Sequence, residues 1–282
     1  MSMTTKITKA IIPVAGWGTR RLPITKIIEK SMLPVGNRPL VDYSVQELIA
    51  AGVTDIYMVI SNVEPCQVRQ FYRDNLALNQ YLEARGKKDR LELAKTLPDN
   101  VKIHYISQDP AGKYGTAVPV AMVAEEYNIN EPTFLFFGDD FIWNPGGESA
   151  AASLLKSVQN ETESAILGVE VPREEVVKYG MITTKDNKLA TIVEKPDLKD
   201  VTSNLVHVSK FIMSPGLMQE MVEYVNSHDF GPTDQEYMAT DPLASFVQKG
   251  GVVRVAPTTG AYLYGGSLEG WVHANNVVCG GK

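Results

Sequence analysis

The chain has 282 residues, 44% hydrophobic and 21% charged, with 22 Gly, 16 Pro and a net charge of −6. Those proportions exclude a disordered, collagen-like or fibrous protein, and the acidic balance argues against a general affinity for nucleic acid. No apolar run approaches the ~20 residues that span a bilayer, Met1 to Lys9 is too short and polar for a signal peptide, and two distant cysteines, Cys66 and Cys279, suit free thiols in a reducing, cytoplasmic setting.

Strand and helix patterns alternate along the chain, which points to an α/β fold with a mixed, mainly parallel sheet flanked by helices on both faces. Ile7 to Val14 reads as a buried first strand. Arg38-Pro39 opens a helix with apolar positions at Leu40, Tyr43, Val45, Leu48 and Ile49, and Gly52 closes it. Asp55 to Ile60 is a second strand, and a helix follows from about Glu64. Asn75 to Asn100 is charged and long for a connection, so it reads as a surface insertion with helical content at about 75–100. Val101 to Ile106 is a third strand, Thr116 to Glu126 a helix, and Thr133 to Phe137 a fourth strand. Glu163 to Val169 continues the sheet, and Met181 to Thr184 with Leu189 to Val193 forms a hairpin split by Asp186-Asn187. A strand at Val206 to Met213, helices from Pro215 to Val225 and after Asp241-Pro242, and a late strand at Val252 to Val255 complete the body. Without internal repeats, low-complexity tracts or flexible linkers, residues 1–282 read as a single domain.

The charge is unevenly spread. Residues 1–38 hold seven bases (Lys6, Lys9, Arg20, Arg21, Lys26, Lys30 and Arg38) and one acid, Glu29, so the other 244 residues carry −12. A phosphate-bearing small molecule near the N-terminus is one physical reason for such a split; chance clustering on a solvated loop is another. The segment Ala15-Gly16-Trp17-Gly18-Thr19-Arg20-Arg21-Leu22-Pro23-Ile24-Thr25-Lys26 directly follows the first strand. Glycines at a strand end let backbone N–H groups approach an anion, because no Cβ blocks them. The glycine spacing is neither that of a dinucleotide fingerprint nor that of a P-loop, which disfavours a nicotinamide-dependent dehydrogenase.

The run G-x-G-T-R-x-x-P-x-T-K, followed by K-x-M-L-P-V-x-x-R-P from Lys30, resembles the sugar-1-phosphate nucleotidyltransferases, and the likeness extends over nearly the whole chain. It implies a Rossmann-like nucleotidyltransferase fold. The insertion at Asn75 to Asn100 favours the branch that makes UDP-glucose and pyrophosphate from UTP and glucose 1-phosphate. The resemblance also implies the site. Ala15, Gly16, Gly18 and Thr19 would cradle the nucleotide, Arg20 the β- and γ-phosphates, and Lys30 the α-phosphate. Gln108 would bond the uracil edge and Gly115 would let the base lie against backbone, with Thr116 standing where the family usually has His. Asp139, in Phe137-Gly138-Asp139-Asp140 at the end of the fourth strand, would hold the catalytic Mg²⁺. Tyr179-Gly180 would place backbone beside the sugar. In Glu194-Lys195-Pro196 the Glu would accept from sugar hydroxyls and the Lys would bind the sugar phosphate, and Asn204 would touch the sugar.

The last third departs from the family. Asp234-Gln235-Glu236-Tyr237 through Thr240-Asp241 is similar to a D-E-x-Q-x-T-D stretch, with Glu236 and Asp241 matching and Met238 in place of Gln. Where members usually carry D-x-G, whose Asp is a second metal ligand, this chain has Tyr264-Gly265-Gly266, and Glu269 is the one carboxylate nearby. Three readings follow: an ion held by Asp139, phosphates and water; a misplaced alignment; or an impaired enzyme. The alternatives in function are therefore a transferase that uses dTTP or CTP, and a nucleotide-sugar-binding regulator. The implied partners are small-molecule substrates, with no nucleic acid and no membrane, and homo-oligomers are common among such proteins. His104, His207, His228 and His273 are scattered and read as structural, since an ionised phosphate needs no general base.

Overall fold

The computed structural model describes residues 6–231 and 235–280. In chain order its elements are β1 (Lys9–Pro13), β2 (Pro34–Val35), β3 (Arg38–Pro39), α1 (Leu40–Ala50), β4 (Asp55–Ser61), α2 (Gln67–Tyr72), α3 (Leu76–Ala84), α4 (Lys88–Ala94) and β5 (Lys102–Gln108). Then come α5 (Val118–Tyr127), β6 (Thr133–Phe136), β7 (Asp140–Trp143), α6 (Ala150–Ser157), β8 (Ser164–Glu170), β9 (Gly180–Lys185), β10 (Lys188–Glu194) and β11 (Leu205–Met213). The chain closes with α7 (Pro215–Ser227), α8 (Thr240–Gln248), β12 (Val253–Pro257), β13 (Ala261–Tyr264) and α9 (Leu268–Val278).

Nine strands form one mixed sheet in the order β5-β4-β1-β6-β11-β8-β12-β10-β9. Pairing is parallel from β5 to β6, antiparallel across β6, β11 and β8, parallel between β8 and β12, and antiparallel beyond. Alternation sends Ala10 and Ile12 of β1 to one face and Ile11 to the other, and β4 and β6 do the same. Both faces are buried, under α1, α2 and α6 on one side and α5, α7 and α8 on the other. The central strands therefore read as continuous apolar runs. The hairpin turn at Asp186 and Asn187 has φ of +53° and +57°, the conformation of the two-residue turn that matches strand twist.

Six of these elements escape sequence reading: the two-residue strands β2 and β3, and β7, α6, β13 and α9. β7 and β13 pair only with each other, four residues apiece, and are too short to show a period. α9 (LEGWVHANNVV) carries Gly270 and valines that disfavour an isolated helix, so its packing holds it. Ser267 caps it, Trp271 Nε1 donates to Pro34 O at 2.7 Å, and Ala274 is buried against Leu33, Val35, Leu40, Phe141 and Leu263. α3 and α4 lie within the charged stretch between β4 and β5. Cys66 is buried, Cys279 is exposed, and neither is in a disulfide. No helix among the described residues is long and apolar enough to cross a membrane.

Candidate active site

Beyond β1, Val14 N still bonds Val59 O at 2.8 Å, so the chain leaves the sheet at the carboxyl ends of its parallel strands, where open α/β sheets bind ligands. Gly18 has φ +63°, and a Cβ there would stand 2.9 Å from Lys30 Cβ. Glycine thus lets the loop close over the stem of Lys30. Thr25 Oγ1 ties it by donating to Gly18 O at 2.9 Å. Arg21 is buried, donates to Ser267 O and lies 5.1 Å over the Trp271 ring, which fastens the loop to the start of α9. Its neighbour Arg20 stays exposed.

Lys30 reaches across to the turn after β6, where its Nζ donates to Asp139 Oδ2 at 2.6 Å. Burial would push the Asp139 carboxyl up, but the charge and hydrogen bond of Lys30, with Lys210 behind them, hold it below the usual carboxylate range. Asp140, next in the chain, points the other way into the protein. Its carboxylate takes Lys210 Nζ and the Tyr262 hydroxyl, and both members of that ion pair are at most 1% exposed. Lys210 also donates to Phe137 O at 3.2 Å and Asp140 O at 3.1 Å, which pins the turn that presents Asp139. Gly138 permits the turn's close approach, since a Cβ there would meet Val14 Cγ1 at 2.6 Å.

A cleft of 560 Å³ opens over this pair, and it gathers Ala15, Gly16, Gly18, Thr19, Arg20, Lys30, Gln108, Gly115 and Asp139. At its far side Gln108 Nε2 donates to Lys113 O at 3.0 Å. Gly115 has φ +131°, and a Cβ there would lie 2.4 Å from Tyr237 N. Tyr237 N bonds Tyr114 O and Tyr237 O takes Ala117 N, so this segment is held flat against the loop before α8. Thr116 Oγ1 accepts from Ala239 N at 2.8 Å, a structural use for the residue that departs from the family.

A second cleft, of 870 Å³, is lined by Gly180, Glu194, His207 and Tyr179 and adjoins the first. Arg20, Thr116, Phe137, Ser209, Tyr262 and Tyr264 line both. Burial would raise the Glu194 carboxyl, yet the neighbouring His207 and Lys195 hold it below its ordinary value. Burial also raises the Tyr264 phenol, reinforced by the Asp139 charge.

Lys195 and Asn204 line neither cleft, and both are exposed. Lys195 comes just after the end of β10 with φ +44°, a left-handed conformation that turns the chain out of the strand at this residue. Glu236 lines the first cleft, whereas Asp241 accepts from Tyr224 Oη at 2.8 Å and stands apart; Asp234 lies outside the described residues. Glu269 lines the second cleft, away from Asp139. Sequence reading missed Tyr262, Ser209 and His207. None sits in a recognisable local pattern, and only the pairing of β13 with β7 and of β11 with β9 brings them here.

Among the described residues no group of three or more His, Cys, Asp or Glu is placed to hold a metal ion. One oxygen of Asp139 is held by Lys30, and Asp140 is engaged by Lys210 and Tyr262. The donor set fits a divalent ion that arrives with phosphates and takes one protein oxygen, the remaining one of Asp139, which suits the hydrated habit of Mg²⁺.

A family model described as nucleotidyl transferase matches residues 9–252. The chain is 30% identical over 278 residues to a UTP–glucose-1-phosphate uridylyltransferase of Mycoplasma pneumoniae, covering 96% of this chain and 91% of that one. It is 32% identical over 227 residues to a protein of the same name from Streptococcus pneumoniae, covering 77% and 74%. Among solved structures it resembles a UTP-bound UGPase from Acinetobacter baumannii, with a TM-score of 0.83, 26% identity and coverage of 96% and 93%. It also resembles a UDP-glucose pyrophosphorylase complexed with UDP-glucose, with a TM-score of 0.81, 25% identity and coverage of 98% and 100%.

Proposed function

We infer the reaction from the premise that this chain belongs to the nucleotidyl transferase family. It is a uridylyltransferase that makes UDP-glucose and pyrophosphate from UTP and glucose 1-phosphate. The observation that carries this reading is the meeting of two clefts at Arg20 and Tyr264. One has a glycine loop and cations suited to a triphosphate, and the other has a carboxylate suited to a polyol.

In this reading a glucose 1-phosphate oxygen attacks the α-phosphorus of UTP in line as the bond to pyrophosphate breaks. Such a step needs alignment and absorption of negative charge more than covalent help. Glycines 16 and 18 would present backbone N–H groups to the triphosphate. Arg20 would hold the β- and γ-phosphates from the junction, and Lys30 would neutralise the α-phosphate. Gln108 has its amide nitrogen engaged by Lys113 O, so its carbonyl oxygen would accept N3–H of uracil, which cytosine lacks. Glu194 would accept from sugar hydroxyls beside the Gly180 backbone. Lys195 and Asn204 would reach the sugar phosphate and the sugar from the rim. A divalent cation, Mg²⁺, is the cofactor this reading calls for. Asp139 would hold it, and when bound it neutralises phosphate charge. The attacking phosphate is already ionised, so no general base is assigned. Free thiols at Cys66 and Cys279 accord with a cytoplasmic setting.

Pyrophosphate release from UTP, dTTP, CTP and ATP, each with a panel of sugar 1-phosphates and Mg²⁺, tests the reading. UTP with glucose 1-phosphate should be fastest. A faster rate with dTTP or CTP would move the chain to another branch. Binding of UDP-glucose with no turnover of any nucleotide would make it a nucleotide-sugar-binding regulator, the reading that Tyr264 favours.

A further inference from the structure

His207 has no part in the reaction as described above, yet it sits inside the second cleft. Strand register puts it there. His207 of β11 pairs with Gly180 of β9, and Gly180 pairs in turn with Glu194 of β10. The imidazole and the carboxylate therefore flank one glycine. A Cβ on Gly180 would lie 2.3 Å from His207 Nε2 and 3.0 Å from Glu194 Oε2, so only glycine leaves both side chains their places.

Both ring nitrogens of His207 are buried and have no hydrogen-bond partner, a state that calls for an explanation in a folded protein. Nε2 stands 3.8 Å from Glu194 Oε2, about 1 Å beyond the span of a charge-assisted hydrogen bond. The ring lies against Phe211, with centroids 5.9 Å apart, which keeps it beside the carboxylate.

We propose that His207 is a positioning residue for sugar recognition: its Nε2–H closes onto Glu194 Oε2 and aims the other carboxylate oxygen at a sugar hydroxyl. The inference rests on the reading of the second cleft as the sugar site. A carboxylate with both oxygens loose accepts from hydroxyls in many directions, whereas one oxygen fixed from behind leaves the other a single bearing. This role needs a proton on Nε2, the nitrogen nearer the carboxylate. A site built to bond a particular hydroxyl strongly disfavours a sugar that misplaces it, so His207 acts on the choice among hexose phosphates.

The test is steady-state pyrophosphate release with glucose 1-phosphate and with galactose 1-phosphate, its C4 epimer, at saturating UTP. Wild type is compared with His207→Leu, His207→Asn and His207→Gln. Leu removes the donor, and Asn places its donor near Nδ1, away from Glu194. Gln sets an amide N–H near the Nε2 position. Leu and Asn should raise KM for glucose 1-phosphate about tenfold and narrow the preference over galactose 1-phosphate, with KM for UTP unchanged. Gln should restore most of both. Should the Leu variant not fold, the contrast between Asn and Gln decides. An unchanged sugar KM in Leu or Asn, an equal rise in KM for UTP, or no advantage of Gln over Asn would overturn the role of His207 alone. A wild type that turns over no sugar 1-phosphate would overturn it together with the sugar-site reading.

Discussion

Lys30 Nζ lies 2.6 Å from Asp139 Oδ2 although 109 residues separate the two in sequence. The pair sits on the floor of the first cleft, and each partner holds the other in its charged form. Burial alone would lower the Lys30 ammonium, but Asp139 outweighs it and the group stays above its ordinary value.

The first prediction concerns the pH dependence of this pair. Asp139 has a folded pKa below its unfolded value, so its contribution to stability is present above about pH 4 and is lost as pH falls through the folded value. Lys30→Met removes the main opposing charge, and burial then raises that carboxyl. A raised group stabilises below its unfolded pKa and loses that contribution as pH rises. Relative to wild type, the variant should gain melting temperature between about pH 7 and pH 5. The same substitution should lower kcat by about 10²–10³. Parallel melting curves for both proteins across that range would show that the pairing has no energetic weight.

Arg20 and Lys195 should separate in kinetics. Arg20 lines both clefts, so Arg20→Ala should raise KM for UTP and for glucose 1-phosphate, with a loss of roughly 2–4 kcal/mol of transition-state stabilisation. Lys195→Ala should act on glucose 1-phosphate alone. KM and kcat for each substrate, measured at saturation of the other, check this, and a Lys195 effect on UTP would contradict it.

The metal requirement should respond to Tyr264, which lines the first cleft together with Asp139. With one protein carboxylate available, the free protein should bind Mg²⁺ too weakly for calorimetry. Tyr264→Asp should yield measurable binding and lower the Mg²⁺ concentration for half-maximal rate, whereas Asp139→Asn should nearly abolish turnover. If Tyr264→Asp changes neither quantity, Tyr264 does not occupy a ligand position.

Lys210 and Asp140 form an ion pair buried under the turn that presents Asp139. Lys210→Met leaves the Asp140 charge without its partner and should cost about 3–5 kcal/mol in denaturant unfolding. Adding Asp140→Leu should recover part of that loss in stability, because the uncompensated charge is gone while the Tyr262 hydroxyl is left without its acceptor. A double variant no more stable than the single one would refute this account.

Gly115→Ala should harm both folding and nucleotide use. The position combines φ +131° with backbone 2.4 Å from the new Cβ. Gly52→Ala is the control, with φ +97° and nothing within 4 Å. Each carries about 1–3 kcal/mol of backbone strain, but only Gly115→Ala should also raise KM for UTP, since only there must the chain at Tyr237 move.

The parallel half of the sheet was legible in sequence because its signal is local. β1, β4 and β6 are short apolar runs buried on both faces, and Asp186-Asn187 takes the positive φ that a tight hairpin needs. The glycine loop was legible for the same reason, since Gly18 meets Lys30 only 12 residues on. Tertiary structure alone decided the rest. β7 and β13 are too short to announce themselves, and they exist as a pair that sets Tyr262 and Tyr264 beside Asp139 and Asp140. α9 has weak helix propensity and stands because Trp271 and Ala274 pack against the N-terminal third. Lys195 follows Glu194 in sequence but lines neither cleft, because the chain leaves β10 there through a left-handed residue. His207, which sequence reading set aside, comes beside Glu194 through two registers across three strands. Such contacts depend on which strands pair and in what register, and no window of sequence around either residue contains that information.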